Sequence, residues 1–339
     1  MARMSKFVKK NRDIPVEHYI NGIKKADRVV LAQAITLVES NAKHHFEKAQ
    51  QIIEALLQKK SKSIRIGITG VPGAGKSTFI DSFGTFLCEQ GNRVAVLAVD
   101  PSSQVSKGSI MGDKTRMERL SRHPNAYIRP SPSGGNLGGV NRKTRETMIL
   151  CEAAGYNIIL VETMGVGQGE FVVRDMVDFF LLLVLTGAGD ELQTMKKGIM
   201  ELPDLVVVNK ADGDNKEKAT HAKREYNTIL HYLKSYTEGW ITKAVTASAK
   251  EEEGISEVWD IIHSFQEYTK KNHLFYEKRA EQQRNWLHDL LKQELYRYFY
   301  NHAEIKEQLI KTERTVISGE KSVASSALDL LNLFMEKKI

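Results

Sequence analysis

The spacing of apolar residues divides the chain into three stretches of different character. Over 15–60, apolar side chains recur every three to four residues, which predicts helices. From 64 to 246, short apolar runs alternate with segments of helical periodicity. Beyond about 268 no further strand-like run occurs, and the amphipathic helical pattern returns. The order predicts an α/β domain with a helical extension on either side.

Six apolar runs predict the strands of the central domain, at 64–69, 94–99, 158–161, 179–185, 205–208 and 241–246. Several are apolar at nearly every position, as is typical of strands that are covered on both faces of a parallel sheet. Helical patterns lie between the strands, around 142–154, 190–202 and 216–235. We therefore predict a doubly wound, mainly parallel sheet with right-handed crossovers.

The same patterns place two region boundaries. We expect an N-terminal helical extension over 1–62, a nucleotide-binding α/β domain over 63–268 and a C-terminal helical region over 269–339. In the last region, apolar positions predict one amphipathic helix around 286–299 and a second at 327–335. A terminal helical bundle of this kind more often packs on its own domain than mediates assembly. The tyrosine and phenylalanine side chains at 296–300 add apolar area, which is compatible with a dimer surface.

Composition narrows the class of protein. Of 339 residues, 41% are hydrophobic and 27% charged, as in ordinary globular proteins. No apolar run has the length that a membrane-spanning helix needs, so we expect no membrane association. Cys88 and Cys151 fall in apolar helical patterns, which is typical of core cysteines in a reducing compartment such as the bacterial cytoplasm.

The net charge of +7 lies in the first 62 residues, which hold 13 Lys/Arg and 6 Asp/Glu. A basic arm of this kind can bind nucleic acid. Only Phe7, Tyr19 and Phe46 are aromatic in this segment, so we interpret the arm as a solvated helical face and expect no nucleic-acid partner.

A complete phosphate-binding loop follows the first strand. Its residues are Gly70, Val71, Pro72, Gly73, Ala74, Gly75, Lys76 and Ser77, and the helical pattern begins at once with Thr78. Glycines let successive backbone N–H groups turn inward around an anion at a helix N-terminus. The lysine of such a loop reaches the β- and γ-phosphates, and the serine hydroxyl is a Mg²⁺ ligand. The motif and its context predict a P-loop nucleoside triphosphatase.

A second motif selects the base. Asn209, Lys210 and Asp212 follow the strand at 205–208, about 130 residues after the phosphate loop. An aspartate there accepts hydrogen bonds from the N1–H and the 2-amino group of guanine, a donor pair that adenine lacks. After the strand at 241–246, another turn fits the loop whose backbone contacts the guanine oxygen, formed by Ser248, Ala249 and Lys250. These residues predict GTP and GDP as the ligands.

Acidic residues at strand ends are the candidates for the metal site. Asp100 follows the strand at 94–99, Glu162 follows the strand at 158–161, and Asp113 lies in the long loop between 101 and 132. Carboxyl ends of parallel strands form the ligand crevice of an open α/β sheet. With Ser77, these three acids predict an oxygen-rich Mg²⁺ site. A strand-end acid such as Asp100 can instead cap the next helix.

Two glycine-rich segments open onto the same crevice. The first, at 163–170, carries Gln168, whose amide can orient an attacking water. The second, at 187–198, carries charges of both signs. Their glycine content favours loops that rearrange when the γ-phosphate leaves.

Together these motifs resemble one family, the bacterial methylmalonyl-CoA mutase-associated GTPases. The resemblance is carried by the phosphate loop, the segments at 98–103, 112–117 and 129–132, the glycine-rich segments and the base motif. It is specific from about 25 to 270 and looser in the helical tail. It implies a P-loop GTPase of the signal-recognition/MinD branch that forms a homodimer through its C-terminal helices.

The resemblance also implies a function. Members of this family act as chaperones of an adenosylcobalamin-dependent acyl-CoA mutase, gating cofactor delivery and supporting release of damaged cofactor. In the family the segment at 187–198 is the switch through which the mutase stimulates hydrolysis, which makes Lys196 a candidate catalytic residue beside Lys76 and Gln168. A lysine there would place positive charge against the transferring phosphoryl group.

Two other functions fit a GTP-binding chain. A nickel metallochaperone predicts a His-rich tract or a Cys cluster, whereas the sequence has only the pair His44 and His45 and two distant cysteines. A kinase linked to amino-acid transport predicts a base for the acceptor proton, and no residue can be assigned that role. A purely structural module does not account for a full nucleotide site.

Overall fold

A computed structural model describes residues 14–57, 62–99, 116–130, 137–163, 169–187 and 198–336. Within this part of the chain no helix is long and apolar enough to cross a lipid bilayer. Contacts between Cα atoms divide the chain into two compact units, Met1–Arg279 and Ala280–Ile339. The predicted division into three regions stays a prediction.

The centre of the first unit is a seven-stranded sheet in the order β3-β2-β4-β1-β5-β6-β7, in which every neighbouring pair is parallel. The strands are β1 (Ile64–Gly70), β2 (Val94–Val99), β3 (Ala126–Arg129), β4 (Ile158–Thr163), β5 (Phe179–Val184), β6 (Leu205–Val208) and β7 (Lys243–Thr246). The predicted doubly wound parallel sheet is confirmed.

Helices surround the sheet and form the second unit. Those before and between the strands are α1 (Val16–Lys24), α2 (Arg28–Glu39), α3 (Lys43–Leu56), α4 (Lys76–Glu89), α5 (Glu118–Arg122), α6 (Leu137–Ala153), α7 (Gly169–Arg174) and α8 (Lys216–Tyr232). Those after the last strand are α9 (Ile255–Lys271), α10 (Leu274–Asn301), α11 (Ala303–Ile317) and α12 (Val323–Glu336). Two 3₁₀ turns, Ile199–Glu201 and Gly213–Asn215, complete the described elements. The helical extensions that the sequence predicts are therefore present.

The structure differs from the predicted elements in four places. Strand β3 is not among the predicted strands, because it has four residues and only its first is fully buried, so no apolar run marks it. Strand β7 begins at Lys243 rather than 241, and Ile241 is 83% exposed. Of the predicted helix at 190–202, only the 3₁₀ turn falls within the described residues. The tail holds α11 between the two helices that the sequence predicts.

Alternation along the strands fills one core on one face of the sheet and two on the other. In β2, Val94 and Val96 face the core built with α4 and α9, whereas Ala95 and Leu97 face the core built with α6. This alternation follows from the two-residue period of a strand. Buried residues of α1, α2 and α3 belong to the core built with α6. The N-terminal helices are thus a packed layer of the α/β unit. Because all strands are parallel, the carboxyl ends that precede the predicted site residues lie on the same side of the sheet.

Candidate nucleotide site

The phosphate loop joins β1 to α4 in the conformation that its glycines predict. Gly73 and Gly75 have φ angles of 87° and 85°, in the left-handed region that favours glycine. A Cβ atom on Gly70 would lie 2.3 Å from the carbonyl oxygen of Leu183 in β5, so the loop leaves β1 in close contact with the neighbouring strand. The sequence therefore needs glycine here for backbone shape and for close packing.

Lys76 lies at the first position of α4 and is only 9% exposed. Its ammonium donates hydrogen bonds to the carbonyl oxygens of Gly70 at 2.7 Å and Val71 at 3.2 Å. Burial lowers the pKa of Lys76, and the negative charges of Glu162 and Glu170 partly oppose that shift. A bound phosphate would add negative charge and favour the ammonium form.

Ser77, in the first turn of α4, lies beside Glu162 near the carboxyl end of β4. The Ser77 hydroxyl donates to a carboxylate oxygen of Glu162 at 3.0 Å, and Glu162 is 4% exposed. A hydroxyl and a carboxylate this close together fit Mg²⁺. In nucleotide sites this ion takes only one or two ligands from the protein and others from the phosphates. The described residues contain no group of three or more His, Cys, Asp or Glu side chains placed to hold a metal ion. The fit therefore rests on this pair.

Asn209, at the end of β6, connects the base motif to the phosphate loop. Its side-chain amide donates to the carbonyl oxygen of Ala74 at 2.8 Å, and its backbone N–H donates to Val184 in β5 at 2.9 Å. The residue is 1% exposed. A Cβ on Gly75 would lie 2.9 Å from the same amide nitrogen. Two motifs 135 residues apart are thus parts of one site.

Asp212 is oriented by the second base loop. The Ser248 hydroxyl donates to Oδ2 of Asp212 at 2.7 Å and accepts from the backbone N–H of Glu251 at 3.0 Å. Ser248 is fully buried. The backbone N–H of Ala211 donates to Ala247 at 3.1 Å, which joins the two loops again. Ser248 thus orients the predicted guanine-binding carboxylate through its side chain, a role that the sequence motif does not predict.

An open cavity of about 590 Å³ lies at the phosphate loop. Its lining consists of Pro72, Gly73, Gly75, Lys76, Ser77, Thr78, Arg116, Glu162 and Lys210. The volume falls in the range of ordinary small-molecule sites. Ala249 and Lys250 lie in the neighbouring base loop, Ala249 buried and Lys250 exposed. The structure therefore brings phosphate-loop, metal and base-motif residues to one place.

Arg116 is a cavity residue to which the sequence assigns no role, although the segment at 112–117 contributes to the resemblance. Helix α5, which begins two residues later, is held to α4 by a hydrogen bond from the backbone N–H of Leu120 to Asp81 at 2.8 Å. The side chain of Arg119 pairs with Glu252 beside the second base loop. These contacts fix the segment that brings a guanidinium to the mouth of the cavity.

Four predicted residues lie outside the described residues. They are the metal candidates Asp100 and Asp113 and the catalytic candidates Gln168 and Lys196. Their roles stay predictions. Of the predicted metal set, the structure places Ser77 and Glu162; of the catalytic set, it places Lys76.

Comparisons with known proteins find a GTPase family and named GTPases. The model of the family described as methylmalonyl Co-A mutase-associated GTPase MeaB matches residues 31–304. The chain is 46% identical over 332 residues to the mouse (Mus musculus) methylmalonic aciduria type A homolog, mitochondrial, covering 95% of this chain and 80% of that protein. It is 44% identical over 281 residues to the GTPase ArgK of Escherichia coli strain K12. That match covers 83% of this chain and 85% of ArgK.

A solved structure is similar over almost the whole chain. The crystal structure of an LAO/AO transport system kinase superposes with a TM-score of 0.76 at 35% sequence identity, covering 94% of this chain and 97% of that chain. The likeness therefore includes the helical extensions as well as the sheet.

Proposed function

Because this chain belongs to the methylmalonyl-CoA mutase-associated GTPase family, we propose that it is a GTP-hydrolysing chaperone of an adenosylcobalamin-dependent acyl-CoA mutase. It gates the loading of the cofactor and protects or reactivates the enzyme, and methylmalonyl-CoA mutase is the expected partner. The observation that carries the nucleotide part is the contact of Asn209 with Ala74, which joins the base motif to the phosphate loop. The family description supports the mutase part.

The described residues have complementary roles toward GTP. Backbone N–H groups of the loop and the Lys76 ammonium bind the phosphates, and Asp212, held by Ser248, accepts hydrogen bonds from guanine. Ser77 and Glu162 would hold Mg²⁺, which when bound neutralises charge on the phosphate oxygens. Arg116 adds a positive charge at the cavity, where it can contact phosphate. Asp100 and Asp113 complete the proposed metal site.

Hydrolysis is slow without the partner in this proposal. A partner-controlled GTPase is accelerated most when a positively charged side chain is placed against the transferring phosphoryl group. Lys196 and Gln168 are the residues that we expect to supply this charge and to orient the water. Both lie in glycine-rich segments that follow strands of the sheet in the sequence. Binding of the mutase would place these two side chains at the γ-phosphate.

The proposed active form is a homodimer made by the C-terminal helices. In the second unit, Leu287, Leu291 and Leu295 recur at four-residue spacing on α10 and are 56%, 52% and 62% exposed. Tyr296 and Tyr298 nearby are also more than half exposed. Apolar side chains at this density on one helix support an interface between copies of the chain.

Transfer of adenosylcobalamin to the mutase without bound cofactor tests the chaperone role. The visible spectrum of the cofactor reports its arrival while this chain is held with GTP, GDP or a non-hydrolysable analogue. We expect transfer that depends on the nucleotide, and we expect a Glu162→Gln variant to bind GTP but lose hydrolysis-dependent transfer. Transfer at the same rate and extent with every nucleotide, and without this chain, would contradict the proposal.

The other functions find less support. A nickel chaperone needs a cluster of soft or imidazole ligands, and the described part of the chain shows no group of three or more metal-ligating side chains. The similar solved structure is called a transport system kinase, and that name describes that protein. A kinase would pass labelled phosphate from GTP to a protein acceptor rather than to water. Hydrolysis measured with labelled GTP detects that difference.

A further inference from the structure

Residues 169–178 run from the nucleotide cavity to the amino ends of β1 and β5, at the opposite end of these strands. At the cavity end, Glu170 in the first turn of α7 is 4% exposed, and its Oε2 atom is buried without a hydrogen-bond partner. Glu170 lies close enough to Lys76 that its negative charge raises the pKa of that lysine. A buried carboxylate in this state is sensitive to any charge brought near it.

Helix α7 is tied to the rest of the unit at its other end. Arg174 is 1% exposed, donates to the Asp204 carboxylate at 3.0 Å and lies over the ring of Tyr236 at 4.0 Å. The Arg145 side chain of α6 donates to the carbonyl oxygen of Asp175 at 2.8 Å. Because these bonds are charge-assisted, they hold the end of α7 firmly, and we expect α7 and residues 175–178 to move together.

Asp178, just before β5, holds helix α10. Its carboxylate accepts from Nε and Nη2 of Arg279 at 2.7 and 2.6 Å, and from the backbone N–H of Arg65 at 2.8 Å. Its carbonyl oxygen accepts from Nζ of Lys278 at 2.9 Å. Asp178 is 2% exposed. A buried bidentate pair of this kind fixes geometry strongly, so the second turn of α10 follows the position of Asp178.

We propose that residues 169–178 transmit the state of the bound nucleotide to helix α10. This link rests on the proposed binding of GTP and GDP at the cavity. A γ-phosphate beside Lys76 adds negative charge near the buried Glu170 carboxylate, whereas GDP does not. Glu170 therefore has a different energy in the two states, which is the condition for a ligand to shift an equilibrium. Movement of α7 then changes the contacts of Asp178 with Lys278 and Arg279.

Amide hydrogen exchange of the full-length protein tests this link. Exchange over residues 274–290 is measured with saturating GDP and with a non-hydrolysable GTP analogue. We compare the wild type with Asp178→Asn and Arg279→Met. The matched control is Glu39→Gln, which disturbs a largely buried ion pair with Arg129 at 3.0 Å. The hydrogen bonds of that pair join α2 to β3 rather than to α10. Nucleotide affinities are measured on the same samples.

The link predicts a difference in exchange of about fivefold or more between the two nucleotide states over 274–290, in the wild type and in Glu39→Gln. In Asp178→Asn and Arg279→Met that difference disappears, and the ratio of analogue to GDP affinity changes by a similar factor, because coupling is reciprocal. Equal exchange in both states of the wild type, or loss of the difference in Glu39→Gln as well, would overturn the link. Failure of either nucleotide to bind the wild type would instead overturn the proposed function.

Discussion

Asn209 and Ser248 are the side chains on which the shape of the base site depends most directly. Asn209 bonds to the phosphate loop, and Ser248 bonds to Asp212. Both side chains are buried and have no access to water. A partner that loses its hydrogen bond to either of them is therefore left without a replacement. Loss of either side chain should therefore change nucleotide binding more than it changes the fold.

Replacement of Ser248 by alanine tests the orientation of Asp212. The variant loses the hydroxyl that donates to the carboxylate at 2.7 Å, so we expect about tenfold weaker binding of GTP, since a hydrogen bond to a charged group is worth ~1.5–3 kcal/mol. Titration with a fluorescent guanine nucleotide measures the effect. The control is Ser264→Ala, which removes an exposed hydroxyl that donates to its own helix. Unchanged affinity in Ser248→Ala would show that Asp212 needs no such support.

Gly75 and Gly73 form a matched pair for the phosphate loop. Both have positive φ angles, but a Cβ on Gly75 meets the amide nitrogen of Asn209 at 2.9 Å, whereas a Cβ on Gly73 has no atom within 4 Å. Each alanine carries a backbone cost of ~1–2 kcal/mol. We expect Gly75→Ala to lose nucleotide binding by at least ~10-fold more than Gly73→Ala. Calorimetric titration with GDP measures both losses, and equal losses would exclude the contact with Asn209 as the cause.

At the scale of elements, the sheet could be predicted from sequence because its strands are buried on both faces. Runs such as 94–99 and 205–208 are apolar at every position, and a short run of that kind is typical of a buried strand. Strand β3 lacks it, since its last three residues are only partly buried. The motifs predicted the phosphate loop and the base residues because their chemistry is local. The contacts of Glu170, Asp178 and Arg279 could not be predicted, because they join side chains from distant segments.

Lys278 makes the junction of α7 and α10 sensitive to pH. Burial and the neighbouring Arg174 charge lower its pKa to about 7, although Asp204, Asp178 and Asp175 oppose the shift. Between pH 7 and the ordinary lysine value, the unfolded chain binds a proton that the folded chain does not. Stability therefore rises with pH in this window, by up to ~1.4 kcal/mol per pH unit from this group.

Denaturant unfolding of wild type and Lys278→Met between pH 6 and 9 measures this effect. We expect the free energy of unfolding of the wild type to increase relative to that of Lys278→Met as the pH rises above 7. Lys292→Met, at an exposed position of α10, is the control and should run parallel to the wild type. Parallel curves for Lys278→Met as well would mean that Lys278 keeps its ordinary pKa.

At the scale of the whole molecule, the exposed leucines of α10 are the feature that supports the proposed homodimer. We expect Leu291→Glu to convert a homodimer to a monomer, because it places a charge among the exposed leucines of α10. Light scattering during size-exclusion chromatography gives the mass directly. Val29→Glu changes a similarly exposed apolar residue in the first unit and should leave the mass unchanged. A monomeric wild type would contradict the proposed interface.

The rate of phosphate release from GTP, with and without methylmalonyl-CoA mutase, tests the proposed partner-controlled GTPase most directly. We predict slow hydrolysis of GTP by the chain alone, none of ATP above background, and acceleration of GTP hydrolysis by at least ~10-fold when the mutase is added. Equal hydrolysis of ATP and GTP, or a rate that the mutase leaves unchanged, would contradict this prediction.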